Sequence, residues 1–282
     1  LDPGNIVKSE NRIRVSGVPG LLRARNLRPI VGEIIEQRVV CKGHKWFCQI
    51  VVDVPQPQPV TTPRPAVGID VGLKTFASLS DGSEIANPRF GRTAARRLAH
   101  AHRLVSRTTK GSRNRRKVVA RLQRVYFRVS NLRHNFTHQE SRRIADRYGI
   151  VAVEDLQIAT MARGRLAKSI LDACWSQFTF QLGYKVAETG GLFLKVYAPG
   201  TSQECSQCGE TVQKDLSVRI HRCPNCGLVL CRDQNAARNI RARALQTQPP
   251  AVVAGGVNPV EERVAAPMNQ DGLRRRLASS AT

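Results

Sequence analysis

Two Cys-x-x-Cys pairs, Cys205 with Cys208 and Cys223 with Cys226, stand fourteen residues apart, each followed by a glycine, Gly209 or Gly227. Each pair forms a turn that presents two thiolates to one tetrahedral ion, and glycine permits the tight knuckle in which backbone N–H groups approach sulfur. The spacing is close to the usual four-cysteine zinc pattern. Four thiolates leave no open coordination position, so the expected Zn²⁺ is structural. His221 and Cys231 lie nearby and are alternative donors, but four ligands are present without them and both read as bystanders. Cys41, Cys48 and Cys174 sit in apolar surroundings and read as small core residues.

With 45 Lys and Arg against 21 Asp and Glu, the chain carries a formal charge of +24. Such an excess argues for a polyanionic partner rather than a small-molecule substrate. At 282 residues and 41% hydrophobic, there is apolar material for one sizeable core and a smaller module. Global disorder, collagen and a disulfide-dense miniature are excluded. No apolar run approaches the roughly 20 residues needed to cross a bilayer, and the first residues lack the layout of a signal peptide. The expected setting is therefore intracellular, without a membrane partner, where cysteines serve as metal ligands or free thiols. Leu1 is not an initiator methionine, so the sequence reads as a fragment.

The charge is unevenly distributed. Residues 1–65 read as a small β module and linker: the runs 30–40 and 45–54 form a hairpin across Cys41 to His44, and a Pro-rich stretch follows. The next segment predicts a strand ending near Asp70, then a hairpin turned at Asp81-Gly82. From 91 to 148 there are 17 Lys and Arg against only Glu140 and Asp146, a local excess of +15. Val118, Leu122, Val125, Val129, Leu132 and Phe136 recur there at alternating spacings of four and three, the seam of a long basic helix. A helix from about Thr93 to Arg107 gives it an antiparallel partner. A second apolar strand ends at Glu154. A helix from about Leu166 to Thr189 buries Ile170, Cys174, Trp175, Phe178 and Leu182, stops at Gly190-Gly191, and leads to a further strand. The fold class is α/β with a mixed sheet. Residues 246–282 lack periodicity and read as a disordered tail.

Three acids stand at the edges of apolar or basic segments: Asp70, Glu154 and Asp233. A polynucleotide phosphodiester is cut readily when two Mg²⁺ ions clamp the attacking water and the leaving oxygen, and hard cations need carboxylates drawn from different elements. Each acid also has a structural reading: Asp70 caps a turn, Glu154 pairs with an arginine of the basic helix, Asp233 caps the last helix. Asp155 and Asp81 compete for places in the site, but Asp81 is better explained by its turn.

The strings GIDVGLKTFASLSDGSEIANPRF, VAVEDL, TSQECSQCG with CPNCG, and RDQNAARNI resemble, in order and approximate spacing, those of TnpB proteins. That family is encoded by insertion sequences, was long described as transposase, and is related to the type V CRISPR effectors. The resemblance covers roughly residues 12–245. It implies a RuvC-like, RNase H-type nuclease domain over 66–200 and 232–245, a zinc ribbon over 201–231, and a wedge-like β module over 1–65. It also implies Asp70, Glu154 and Asp233 as catalytic Mg²⁺ ligands, and their joint presence argues against the nuclease-dead relatives that act as repressors. The implied activity is RNA-guided cleavage of target DNA, with a guide RNA from the transposon end and a cytoplasmic, nucleoid-associated prokaryotic setting.

On that reading the basic hairpin walls a nucleic-acid channel, with Arg113, Arg115, Arg116, Lys117, Arg121, Arg124 and Arg128 as expected phosphate contacts. Trp46 and Phe47 are candidates for base stacking, but read more simply as core strand aromatics. The sequence departs from the family in having only the closing strands of the β module, without the helical recognition insertion ahead of them. It departs again at Cys231, where relatives have an acid two residues before the last catalytic aspartate. Two other functions compete: a nucleic-acid-binding fragment that does not cut, and a transposase that joins strands in transposition or recombination.

Overall fold

The computed structural model describes residues 7–9, 11–15, 18–25, 29–43, 45–54, 64–197, 199–215 and 217–247. Most of the expected Pro-rich linker and nearly all of the expected tail lie outside the described residues. At the N-terminal side, β1 (Val7–Ser9), β2 (Arg12–Ile13) and β3 (Leu22–Arg23) form a small antiparallel sheet. The expected hairpin follows as β4 (Glu33–Lys42) and β5 (Lys45–Asp53), its strands running through Cys41 and Lys42 to a turn at Gly43, whose φ is +56°. A two-stranded ribbon cannot bury both of its faces. Cys41 is accordingly exposed and Cys48 half-buried, not core residues, and Trp46, far from being a core aromatic, is 74% exposed. Phe47 instead leans on Phe127, with ring centroids 5.8 Å apart.

The larger unit is built in chain order from β6 (Ala66–Val71), β7 (Thr75–Leu79), β8 (Glu84–Ala86), α1 (Phe90–Ser106), α2 (Arg113–Arg147), β9 (Ile150–Glu154), α3 (Ile158–Met161), α4 (Ala167–Ala173), α5 (Trp175–Glu188) and β10 (Leu192–Val196). It continues through the hairpin β11 (Ile220–Arg222) and β12 (Val229–Cys231) to α6 (Arg232–Gln246). The five-stranded sheet has the order β10-β9-β6-β7-β8: β6, β9 and β10 are parallel, and β7 runs antiparallel to β6 and β8. Its central strands are apolar throughout because both faces are covered. Val67, Ile69, Val151 and Val153 face a core that includes Phe76, Phe178, Ile144, Leu182 and Val186. The Phe76 ring meets Phe136 and Phe178 edge-on, at 4.9 and 5.0 Å. On the other face, Ala152 and Val196 pack against Ile240 and Ala244 of α6.

Three helix expectations shift. The single helix expected over Leu166–Thr189 is broken at Cys174, whose φ of +57° puts it in the left-handed region and separates α4 from α5. The half-buried Cys174 thiol is pushed up by burial. α1 begins at Phe90, ahead of the expected Thr93; Arg89 has a φ of +49° and no capping bond, and Asp172 of α4 supplies the cap to Gly91 N–H at 2.7 Å. Along α2 the seam holds at Val129, which is buried, but Leu132 is exposed and Arg133 turns inward to Asp172 instead. A straight helix drifts by about 20° per heptad against a strict seven-residue repeat, so a seam cannot stay buried over this length without supercoiling.

Candidate active site and metal centre

Asp70 and Glu154 occupy the C-terminal ends of adjacent parallel strands. Ile69 of β6 pairs with Val153 of β9, so the next residue on each strand is one of the two acids. Asp233 enters from above, in the first turn of α6, where the positive end of the helix dipole favours a carboxylate. It is not the helix cap, a position held by Cys231. α6 can lie this close because β6 offers Gly68: a Cβ there would stand 2.1 Å from the Ala237 carbonyl oxygen and 2.5 Å from the Arg241 nitrogen.

Two of the acids act on the third. Burial pushes the Asp70 carboxyl well above the usual carboxylate range, and the charges of Glu154 and Asp233 push it further against the pull of Arg232. Burial also raises Glu154, while the Thr201 hydroxyl and the Arg243 guanidinium pull it back. Asp233 is oriented by Arg232, whose Nε and Nη2 donate to Oδ1 at 3.1 and 3.0 Å, with Arg219 3.9 Å from Oδ2. The charges of Glu154 and Asp233 meet on Asp70, which puts three hard oxygen donors in one neighbourhood; among the described residues, the group whose ligand atoms all lie within 4.8 Å of one another is the cysteine cluster. Of the competing acids, Asp155 is exposed and 3.7 Å from Lys195, and Asp81 is taken up by its turn, accepting from Ser83 N–H at 2.9 Å.

The four cysteines converge as their spacing predicts. Their sulfurs lie within 4.8 Å of one another, a cluster that could hold one metal ion. Cys205 and Cys226 are 3.6 Å apart, and Cys208 and Cys223 3.5 Å. The knuckles are built alike: Gly209 N–H donates to Cys205 and Gly227 N–H to Cys223, at 2.9 and 3.1 Å, and both glycines have positive φ, 78° and 74°. Backbone N–H groups of Cys226 and Asn225 draw the Cys223 thiol down to about 7. Cys226 is lowered by the Leu228 N–H but raised overall to about 12 by the neighbouring thiols. Cys231 stands outside the cluster. His221 is fully buried and its Nδ1 meets Lys214 Nζ.

Sequence reasoning missed the residues that tie the two sites together. Asn239 of α6 donates to the backbone oxygens of Thr201 and Glu204 at 2.8 and 2.7 Å, and Asn235 donates to Glu204 O at 2.6 Å and accepts from Ser206 N–H at 3.0 Å. Both asparagines are buried within RDQNAARNI, so two amides in an otherwise apolar helix face were the available signal. Thr201 is buried and donates its hydroxyl to Glu154 Oε1. Of the expected phosphate contacts, Arg113, Arg116, Lys117, Arg121, Arg124 and Arg128 are exposed along α2. Arg115 is the exception: its guanidinium donates to Val105 O and Thr108 O at 2.9 and 3.1 Å and closes the turn between α1 and α2.

Among the described residues no helix is long and apolar enough to cross a membrane. The OrfB_IS605 family, described as "Probable transposase", matches residues 49–165, and the Cas12f1-like TNB domain family matches residues 175–240. Two relatives named "Putative RNA-guided DNA endonuclease" are 38% identical over 78% of this chain and 54% of a Streptomyces pristinaespiralis protein, and 31% identical over 79% of this chain and 60% of InsQ from Escherichia coli K12. The CRISPR-associated endodeoxyribonuclease Cas12f1 of Sulfoacidibacillus thermotolerans is 26% identical over 71% of this chain and 50% of its own length. A solved CRISPR-Cas12f ternary complex matches with a TM-score of 0.49 at 22% identity, over 74% of this chain and 44% of that chain. The chain thus spans between about half and three fifths of the relatives it matches. The family and sequence matches show that the chain carries a TnpB/OrfB_IS605 family domain and is related to Cas12f1.

Proposed function

We propose that the chain is the nuclease part of an RNA-guided DNA endonuclease, hydrolysing target-DNA phosphodiesters at Asp70, Glu154 and Asp233. The observation that carries this is the placement of Asp70 and Glu154 at the ends of paired parallel strands, with Asp233 close enough that its charge acts on Asp70. Ligand sites of open α/β sheets gather at that carboxyl edge. The mixed sheet with α6 laid across its centre is what supports a RuvC-like reading of 66–200 and 232–245, with 201–231 as an inserted zinc ribbon.

Asp70, Glu154 and Asp233 would hold Mg²⁺, which when bound supplies Lewis-acid stabilisation of the charge that develops on the phosphate. The chain's own contribution is placement. Two acids ride on a rigid sheet, the third is aimed by Arg232, and α6 is fixed to β6 through Gly68. The cysteine cluster fits Zn²⁺, since four sulfurs about 2.3 Å from a tetrahedral ion stand roughly 3.8 Å apart, against the 3.5 and 3.6 Å seen here. Five of the exposed cations of α2, at positions 113, 117, 121, 124 and 128, form one stripe of the helix suited to a phosphate backbone. Guide RNA and target DNA are the proposed partners, the relatives' names being the support for the RNA.

The partial coverage of the relatives favours one second reading, a part that binds nucleic acid but does not cut. Incubating the chain with DNA, guide RNA and Mg²⁺ separates the two. Cleavage that Asp70→Ala abolishes supports the nuclease, and binding without cleavage supports the second reading.

A further inference from the structure

The loop between β10 and the first cysteine knuckle is held by two residues of α6. Asn239 fixes the Thr201 carbonyl at 2.8 Å, and Arg243 donates to Tyr197 O and Pro199 O at 2.8 and 3.0 Å and to the Glu204 carboxylate at 2.9 Å. Four residues after Thr201 comes Cys205, whose N–H donates to Glu210 O at 2.8 Å inside the knuckle. Among the described residues of this loop, Thr201, which is 3% exposed, is the one whose side chain donates to Glu154.

We propose that Thr201 is a positioning residue: its hydroxyl fixes which oxygen of Glu154 faces the metal. This rests on the reading of Asp70, Glu154 and Asp233 as a divalent-metal site. A carboxylate at a strand end keeps a free χ3 unless something holds one oxygen, and a donor built into the neighbouring strand-to-knuckle loop holds it without competing for the metal. The partners of metal ligands typically contribute about 10-fold or more to metal affinity.

The test is Mn²⁺ binding to the full chain by calorimetry, with Mn²⁺ standing in for Mg²⁺ at a carboxylate site. Thr201→Val keeps the side-chain shape and removes the donor; it should weaken Mn²⁺ binding about 10-fold, with zinc content and melting temperature near the parent's. Thr201→Ser restores the hydroxyl and should restore affinity, which a purely packing role would not predict. If Thr201→Val does not fold, Thr201→Ala measured against Thr201→Ser makes the same comparison. Parental Mn²⁺ affinity in the hydroxyl-less variant, while Glu154→Gln loses binding, overturns the role of Thr201 and leaves the carboxylate site standing. Mn²⁺ binding that Asp70→Asn and Glu154→Gln leave unchanged overturns the carboxylate site and this inference with it.

Discussion

Gly68 and Ala237 are in backbone contact: a Cβ on the glycine would stand 2.1 Å from the alanine's carbonyl oxygen. This is the joint that sets Asp233 over Asp70. A substitution there meets backbone that cannot swing aside, and overpacking of this kind costs about 1–3 kcal/mol. Gly68→Ala should lower the melting temperature by several degrees and impair metal-dependent cleavage more than its loss of stability accounts for. Thermal denaturation beside an activity assay at a temperature where both proteins are folded checks it.

The crowded acids give a signed pH dependence. Asp70 has its carboxyl raised in the folded state, so the protonated form is the one the fold favours. Its stabilising influence is complete below the ordinary carboxylate range and is lost as pH rises through the elevated value. In Mg²⁺-free buffer Asp70→Asn should therefore melt a few degrees above the parent at neutral pH, with the gap narrowing as pH falls through the raised value and closed below pH ~4. Added Mg²⁺ should raise the parent's melting temperature and leave the variant's unchanged. A melting series against pH, with and without Mg²⁺, reads both effects.

The cysteine cluster should hold one zinc per chain, measurable by elemental analysis. Cys223→Ser should lose it and melt at lower temperature, because metal binding is coupled to folding of the knuckles. Removing zinc with a chelator should lower the melting curve likewise. An unchanged curve after zinc removal would contradict the assignment.

Two neighbouring arginines of α2 should behave differently. Arg116 is exposed, whereas Arg115 is spent on the carbonyls of Val105 and Thr108. Arg116→Ala should weaken nucleic-acid binding and reduce the salt slope by about 1, with little change in stability. Arg115→Ala should instead destabilise the turn by about 1 kcal/mol. Binding isotherms at several salt concentrations, paired with melting curves, distinguish the two.

Asp172 offers a purely structural check. It accepts from Gly91 N–H at 2.7 Å and from Arg133 Nη2 at 2.6 Å, with its side chain 11% exposed. Asp172→Ala leaves both donors without it and should cost about 1–3 kcal/mol, read as a lower denaturation midpoint.

What was legible in the sequence follows the range of the forces involved. The cysteine knuckles, the Asp81-Gly82 turn and the strands ending at Asp70 and Glu154 are local patterns whose chemistry is written within a few residues, and they appear where expected. Contacts between distant residues were not legible. Nothing around Arg64 announces that its guanidinium donates to the Ala145 and Thr189 carbonyls, closing the ends of α2 and α5 together. The break at Cys174 was hidden because apolar spacing continues through it, while a left-handed cysteine, costing roughly 1–2 kcal/mol, is tolerated only where packing on both sides imposes it. Trp46 shows the opposite error: an aromatic in a strand pattern suggests a core, but burial depends on whether a second layer covers that face.

The most direct test of the account is cleavage of guide-matched DNA by the purified chain with Mg²⁺, compared with Asp70→Ala under the same conditions. The account predicts cleavage by the parent, none by the variant, and equal nucleic-acid binding and zinc content in both. Cleavage by Asp70→Ala at the parent's rate would contradict it.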